Sequence, residues 1–177
     1  MKFLLDQEET PRIFFRRIGS ADFDAWLEFF KDPSSFEHWV GERREPEIEC
    51  KQWYAKQFNR YETNQGGMNA LIEKSTTKLI GHAGLLVQHV DGIEELEVAY
   101  SLVPTFRNKG FASEAAVKCR EFAFQNNLAS SLISIISLTN TPSSNVALKN
   151  GMKIEKQTLY NQNPVNIFRI QKKDWKQ

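Results

Sequence analysis

The sequence predicts a mixed α/β or α+β fold, in which one mostly antiparallel sheet carries helices on both faces. Three observations support this prediction. Segments with strand and helix periodicity follow one another in the order β-α-α-β-β-β-α-β-α-β-β. Near the middle, a helical segment joins two strand-like segments, which favours a parallel pair. The chain has 177 residues, of which 41% are hydrophobic and 25% charged, and we therefore expect one globular domain over residues 1–177.

The first predicted strand covers residues 11–18, and Ser20 is the predicted N-cap of the helix that follows it. Four large apolar residues recur in this helix at i, i+3, i+4 and i+7, namely Phe23, Trp26, Leu27 and Phe30. Asp32-Pro33 ends the helix. The segment 33–45 is predicted to be a loop or a short irregular helix. Its aromatic residues, Phe36 and Trp39, either line a substrate site or fill the core.

A second helix is predicted over residues 46–62, because Pro46 suits a first helical position. Its apolar stripe would consist of Trp53, Tyr54, Phe58 and Tyr61. Two strands, 68–74 and 78–90, come next. Asp91-Gly92 is a hairpin signal that joins the second of them to a strand at 94–103.

The stretch from Glu97 to Arg120 organises the prediction. Residues of its strand alternate between two faces, and Pro104 ends the strand because proline cannot donate to a ladder. A helix is then predicted at about 110–126. Its buried stripe would consist of Ala112, Ala115, Ala116, Cys119, Phe122 and Ala123.

The turn between this strand and helix predicts an anion site. A helix N-terminus has unpaired N–H groups and a partial positive charge. Gly110 and Ala112 let a ligand approach the backbone, while Arg107 and Lys109 add two positive charges. A phosphate or pyrophosphate is the natural ligand. The spacing excludes both a P-loop and a dinucleotide fingerprint.

The C-terminal third adds an apolar strand at 132–138 and a helix that starts near Pro142. Gly151 suits the left-handed position after the end of that helix. Two strands, 152–160 and 165–172, are predicted around a turn at residues 161–164.

Composition excludes several classes of function. The net charge is +1, so no overall electrostatic case exists for a nucleic-acid or membrane partner. Cys50 and Cys119 are far apart in sequence, and the three histidines have no ligand spacing, so no metal site is expected. Cys119 should be a buried free thiol. The first residues lack the apolar run of a signal peptide, and we expect a cytoplasmic protein.

Two motifs resemble those of the GNAT N-acetyltransferases. Arg107-Asn-Lys-Gly110-Phe-Ala112 fits the acetyl-CoA loop pattern [RQ]-x-x-G-x-[GA], directly after Leu-Val-Pro. Residues 140–152 fit N-x-x-S-x-x-V-x-x-[KR]-x-G-[FM], which is similar to the last helix of the branch that includes ribosomal-protein N-terminal acetyltransferases (RimJ/RimL-like). Residues 97–104 resemble that branch's E-[IV]-G-Y-x-[IL]-x-P strand, with Ala99 in place of glycine. The resemblance covers about residues 11–172.

The resemblance implies a GNAT fold whose sheet is splayed at its centre, with acetyl-CoA as co-substrate. Its pantetheine would pair with the backbone near Leu102 and Val103, and Asn140 would contact it or order the attacking side. The pyrophosphate would bind amides of the turn and the helix start. The implied cofactor-binding residues in this region are Arg107, Asn108, Lys109, Gly110, Phe111, Ala112 and Ser113.

The implied reaction is direct attack of a primary amine, from a protein N-terminus or a small molecule, on the thioester. Glu97 would be the general base, directly or through water, and a backbone N–H near Val103 would hold the oxyanion. Many relatives carry a tyrosine acid at the position of Ala147, so Ser143, another residue or water would supply the last proton. Phe36 and Trp39 would line the acceptor site. The acceptor, and the choice between monomer and homodimer, stay open.

Two other functions remain open from the sequence. The loss of the tyrosine at position 147 is compatible with a catalytically weak acyl-CoA sensor or interaction domain. The anion site is also compatible with an unrelated phosphate ligand, which would compete with coenzyme A.

Overall fold

A seven-stranded sheet organises the chain in the computed structural model, which describes residues 2–175. The strand order is β1-β2-β3-β4-β5-β7-β6, and every neighbouring pair except β4–β5 is antiparallel. The strands are β1 (Ile13–Arg16), β2 (Gly66–Glu73), β3 (Leu79–Val90), β4 (Ile93–Leu102), β5 (Ser131–Ser137), β6 (Lys153–Tyr160) and β7 (Asn163–Gln171). The helices are α1 (Phe23–Lys31), α2 (Pro46–Glu62), α3 (Phe111–Gln125) and α4 (Thr141–Lys149). The predicted fold class and element order are confirmed.

The sheet opens between its two central strands. β3 and β4 pair continuously from Gly81↔Leu102 to Val90↔Ile93. By contrast, β4 and β5 share a single register pair in the described residues, Glu97↔Ile133. The predicted parallel pair is thus present, and it separates beyond Glu97 as the resemblance implied.

Helices cover both faces of the sheet. α1 and α2 enclose one core around Trp26, whereas α3 packs on the other face around Phe124 and Phe168. These three side chains are almost completely buried, and each contributes about 1.5–3 kcal/mol through burial. The two cores hold the central strands from both sides and so fix the place where they part.

Two local predictions in the first half are wrong. Ser20 does not cap α1; it begins a short 3₁₀ turn, and the carboxylate of Asp22 accepts the Gly19 N–H at 2.9 Å instead. Asp22 also pairs with Arg16 at 2.6 Å, which a hydroxyl could not do. The stripe of α2 is rotated from the predicted one: Phe58 is 37% exposed, and the buried positions are Cys50, Tyr54, Gln57 and Arg60.

The two predicted hairpins differ in outcome. Asp91 and Gly92 both have positive φ (51° and 78°), as the turn signal predicts. In the last hairpin, Asn161 and Gln162 alone form the turn, with φ of 48° and 65°. Pro164 lies inside β7, where its carbonyl accepts a hydrogen bond from the Leu138 N–H at 3.3 Å.

The remaining sequence predictions concern cysteines, metals and membranes. Both cysteines are free and buried, as predicted for Cys119. Among residues 2–175, no group of three or more histidine, cysteine or acidic side chains is arranged to hold a metal ion. No helix in the same range has the length and apolar character needed to cross a bilayer.

Candidate active site

A cleft of about 790 Å³ opens where β4 and β5 separate. It is bounded by the N-terminal ends of α3 and α4 and by residues 33–40, which we call the aromatic loop. Most of the residues predicted for the site line this cleft, namely Phe36, Trp39, Glu97, Leu102, Arg107, Asn108, Gly110, Ala112, Ser113, Asn140 and Ser143. Val103, Lys109 and Phe111 do not line it.

One end of the cleft is formed by the backbone of residues 108–113, which we call the amide cradle. Gly110 caps α3 with a φ of +82°, and Asn108 has a φ of +61°. The first helical hydrogen bond runs from the Glu114 N–H to the Gly110 carbonyl at 3.0 Å. Amides before Glu114 are therefore not used within the helix, and they carry the positive end of its dipole.

Arg12, which directly precedes β1, holds the cradle in place. Its Nη1 donates to the Lys109 carbonyl at 3.0 Å, and its Nε donates to Glu114 at 2.6 Å. Its guanidinium also lies 4.4 Å from the centre of the Phe111 ring. Arg12 lies about a hundred residues from these partners, so no local pattern could have pointed to this contact.

Two predicted cradle side chains point elsewhere. Phe111 is buried in the core beneath α3, so only its backbone N–H is available to a ligand. The Lys109 ammonium lies 5.1 Å from the centre of the Phe106 ring, and the residue is outside the cleft lining. The cradle thus presents mainly backbone groups.

The residues of β4 whose backbone groups face the gap differ in part from the predicted ones. The Val103 N–H donates to the Ile80 carbonyl at 3.0 Å, so position 103 faces β3 and is not free to bind a ligand or an oxyanion. Because antiparallel pairs alternate in direction, Leu102 and Tyr100 direct their backbone groups toward the gap. At the closed end of the gap, next to the Glu97↔Ile133 pair, Ser134 Oγ of β5 donates to the Val98 carbonyl of β4 at 2.8 Å.

Arg107 lines the cleft, and three of its five N–H groups are engaged. Its two terminal nitrogens donate to Ser34 Oγ at 2.8 Å and Ser35 Oγ at 2.6 Å, and its Nε donates to the Leu102 carbonyl at 3.3 Å. Arg107 thus ties the aromatic loop to the end of β4, and the predicted phosphate contact, which stays a prediction, would use the remaining N–H groups.

The aromatic loop lies over the other end of the cleft. His38 Nδ1 is 3.0 Å from Thr139 Oγ1, and the Val40 N–H donates to Asn163 at 2.5 Å. Phe36 and Trp39 line the cleft, as predicted, and Trp39 keeps 41% of its surface exposed. This end therefore combines aromatic rings with polar side chains, and Trp39 leaves it accessible to an incoming molecule.

Asn140 and Ser143 begin α4. Asn140 Oδ1 accepts the Ser143 N–H at 3.0 Å as the helix cap. Tyr100 donates its hydroxyl to the Ser143 carbonyl at 2.9 Å, and burial raises the pKa of this tyrosine. Ala147, at the position of the family's tyrosine, is 1% exposed and packs into the core. Ser143, a predicted proton donor to the leaving thiolate, therefore lines the cleft, whereas Ala147 has no donor to offer.

Glu97 is a buried carboxylate at the point where the strands part. It is 8% exposed and lines the cleft. Oε2 accepts from Gln88 Nε2 at 2.7 Å, and Oε1 accepts from the Ile135 N–H at 3.4 Å. Burial raises the pKa of Glu97 above its ordinary value, against the effect of these two donors. Sequence reasoning found Glu97 but missed Gln88.

Comparison with known proteins decides the family. The model of the Acetyltransferase (GNAT) domain matches residues 12–153, which is well over half of the chain. The chain belongs to the GNAT acetyltransferase family. Among curated proteins, this GNAT acetyltransferase is 27% identical over 147 residues to the N-acetyltransferase YnaD of Bacillus subtilis, covering 82% of each chain.

Solved structures show the same fold. An acetyltransferase from Agrobacterium tumefaciens superposes with a TM-score of 0.76 at 23% identity, covering 92% of each chain. RimJ from Mycobacterium smegmatis, solved with a CoA-disulfide, gives a TM-score of 0.77 at 14% identity over 93% of this chain and 84% of that chain. These neighbours are consistent with the RimJ/RimL-like branch that the motifs resemble.

GNAT enzymes use acetyl-CoA, and the cleft fits that molecule. The amide cradle suits a pyrophosphate, because a helix N-terminus binds anions through its free N–H groups. The backbone groups of Tyr100 and the Leu102 N–H, which point into the gap, suit the extended amide chain of pantetheine; the Leu102 carbonyl also accepts from Arg107. These two features lie at the same cleft, as one long ligand requires.

Proposed function

We propose that this GNAT acetyltransferase is an N-acetyltransferase that moves the acetyl group of acetyl-CoA to a primary amine, by direct attack in a ternary complex. The observation that carries the proposal is the shared cleft. It is lined by the amide cradle, by the open edge of β4 and by the buried carboxylate of Glu97. Donor binding and proton removal would thus take place in one cleft.

Residues of this chain would hold the donor, which supplies an acetyl thioester. Amides of residues 108–113 bind the pyrophosphate, and Gly110 keeps the backbone accessible. Backbone groups of Leu102 and Tyr100 pair with the pantetheine amides, in place of the predicted Val103. Asn140 contacts the pantetheine through its side-chain amide nitrogen, since its side-chain oxygen already caps α4.

Glu97 removes the proton that an amine must lose before it attacks. A primary ammonium has a pKa of about 10, so a nearby base increases the reactive fraction. The raised pKa of Glu97 brings the carboxylate closer to neutral pH, where general bases work best. Glu97 acts directly or through one water. A free N–H of Tyr100 or Leu102 stabilises the charge that develops on the acetyl oxygen.

The thiolate that leaves needs little help. A thiol with a pKa of about 8.5 is a tolerable leaving group near neutral pH. Water supplies the proton, directly or relayed through the Ser143 hydroxyl at the start of α4. Ala147 has no donor, which distinguishes this chain from family members with a tyrosine there.

The acceptor enters beneath the aromatic loop. Phe29, Phe36 and Trp39 line this end together with the carboxylate of Glu37. Aromatic faces and a carboxylate attract a cation. The Phe36 and Phe29 rings already face the guanidinium groups of Arg43 and Arg107. The Trp39 ring and the Glu37 carboxylate are therefore the groups that would attract a primary amine, on a small molecule or at a protein N-terminus.

The decisive experiment has two stages. Calorimetry should detect acetyl-CoA binding, and a thiol-release assay should then show turnover with members of a panel of small amines and peptide N-termini. The absence of binding at high micromolar acetyl-CoA would refute the proposal. Displacement of coenzyme A by ATP or a sugar phosphate would favour a different phosphate ligand.

A second candidate function is an acyl-CoA sensor or interaction domain with little catalytic activity. The buried Ala147 in place of a catalytic tyrosine favours it. Tight acetyl-CoA binding without turnover on any amine of the panel, and no effect of Glu97→Gln on background thiol release, would support this reading instead.

A further inference from the structure

Gln88 on β3 contacts the carboxylate of Glu97 and does not line the cleft. Its Nε2 donates to Glu97 Oε2 at 2.7 Å, and Gln88 is not among the residues that form the cleft wall. Gln88 therefore reaches Glu97 from behind and leaves the cleft side of the carboxylate free for an incoming amine.

The orientation of the Gln88 amide is fixed by two other side chains. Its Oε1 accepts from Arg60 Nη2 at 2.9 Å and from the Tyr160 hydroxyl at 3.0 Å. A guanidinium can only donate, so the amide oxygen must face Arg60 and the amide nitrogen must face Glu97. A flipped amide would place N–H against the guanidinium and oxygen against the carboxylate, and both contacts would be repulsive.

Arg60 is itself held in place. Its Nη1 donates to the carbonyls of Gln65 and Val87, each at 3.0 Å, and the residue is buried. Its Nε has no hydrogen-bond partner among the described residues, so the buried guanidinium depends on its two terminal nitrogens for hydrogen bonds. Side chains from two elements, α2 and β6, thus converge on the oxygen of one amide, whose nitrogen has the carboxylate of Glu97 as its only side-chain acceptor in the described part of the chain.

We propose that Gln88, oriented by Arg60 and Tyr160, is the positioning residue that keeps Glu97 ionised and directed into the cleft. The proposal rests on the proposed role of Glu97 as base. A hydrogen bond donated to the charged form of a carboxyl favours ionisation, whereas burial opposes it. Gln88 partly offsets the effect of burial, and it holds the carboxylate in one rotamer.

Every group that faces Glu97 bears on its titration. The neutral donors are Gln88 and the Ile135 N–H on β5. Lys56 and Arg60 on α2 also favour the ionised form. The phenols of Tyr100 and Tyr160 interact with the Glu97 charge. Removing the Gln88 amide takes away a donor to Glu97 and an acceptor of Arg60, so it is compared with Tyr160→Phe, which keeps the amide and both cations.

The test measures the pKa of Glu97 directly, by ¹³C NMR of labelled glutamate carboxyls, with Glu97→Gln assigning the signal. We expect Gln88→Leu to raise this pKa by about one unit, the size of a charge-assisted hydrogen bond. Tyr160→Phe removes only one oxygen, and it should cause a smaller shift in the same direction. Tyr54→Phe is the matched control, since among residues 2–175 its buried hydroxyl has no hydrogen-bond partner; it should leave the pKa unchanged.

Kinetics with the best amine of the panel give the second readout. Gln88→Leu should shift the acid limb of the kcat/KM profile to higher pH by the same amount as the pKa of Glu97. It should therefore lower kcat/KM near pH 6 by up to about tenfold. The KM for acetyl-CoA should not change. An unchanged Glu97 pKa and acid limb in both Gln88→Leu and Tyr160→Phe would overturn the proposal. If Glu97→Gln retained full activity, the role of Glu97 as base would fail instead.

Discussion

Gly110→Ala tests the amide cradle most directly. Gly110 has a φ of +82°, and a Cβ added there would lie 3.3 Å from Arg12 Nη2. The left-handed conformation costs a residue with a Cβ about 1–2 kcal/mol. The contact with Arg12 adds less, because that guanidinium is the exposed end of a flexible side chain. The folded protein can relieve the strain only by rotating the peptide groups around residue 110.

Such a rotation redirects the amides that are proposed to bind pyrophosphate. A hydrogen bond to a charged group contributes about 1.5–3 kcal/mol. The loss of one of them should weaken coenzyme A binding by about ten- to a hundredfold. Stability should fall by about 1–2 kcal/mol, which lowers Tm by a few degrees in a chain of this size. Calorimetry with coenzyme A and thermal unfolding measure the two effects separately.

Gly92→Ala is the matched control. Gly92 has a similar φ of +78°, and a Cβ there would meet nothing within 4 Å. It should lose comparable stability and bind coenzyme A like the wild type. Wild-type affinity in Gly110→Ala, or an equal loss in Gly92→Ala, would refute the placement of the pyrophosphate at the amide cradle.

Three further substitutions test other parts of the site and core. Arg107→Ala should release the aromatic loop and raise the KM for the amine several-fold, with little change in acetyl-CoA affinity. Glu97→Gln should abolish the acid limb of the rate profile. It should also make the stability of the variant relative to wild type increase with pH, because a raised pKa means that folding favours the protonated carboxyl, and this stabilisation is lost as pH rises through the folded pKa. His82 is fully buried among aromatic rings, with its pKa lowered to about 3. The wild type should therefore lose stability as pH falls from about 6.5 toward 3, by up to about 1.4 kcal/mol per unit, and His82→Phe should remove this dependence.

Each of these expectations has a clear contrary result, read from steady-state kinetics or urea unfolding at several pH values. A large loss of acetyl-CoA affinity in Arg107→Ala, with the amine KM unchanged, would support the phosphate role that the sequence first indicated. A stability difference between Glu97→Gln and wild type that does not vary with pH would mean that the carboxyl titrates normally. An unaltered acid dependence in His82→Phe would assign that dependence to other groups.

The fold and the position of the cleft could be predicted because both depend on local patterns. Strand alternation, the helical stripe of α3 and the glycine turn at 110 are visible within a few residues of sequence. The residues that line the cleft follow from those elements once the two motifs are placed. Glu97 could be found for the same reason, since a carboxylate inside a central strand is unusual.

The residues that the sequence did not reveal act over long separations. Arg12 and Glu114 meet across 102 positions, and Gln88 meets Tyr160 across 72. Arg60 lies at a buried position of α2, whereas from the sequence alone a charged residue in a helix is assigned to the solvent-exposed face. The error at Val103 has a different cause. Neighbouring residues of a strand send their N–H groups to opposite sides, so a one-residue uncertainty reverses the assignment.

The break between β4 and β5 has a mechanical consequence. Four strands lie on one side of it and three on the other, and the ladder joining them is a single pair wide. The extended arm of a thioester donor, laid along the gap, would add the bonds that a continuous sheet would have there. The donor would then serve as a temporary eighth strand, and each turnover would stiffen the scaffold on loading and relax it on release.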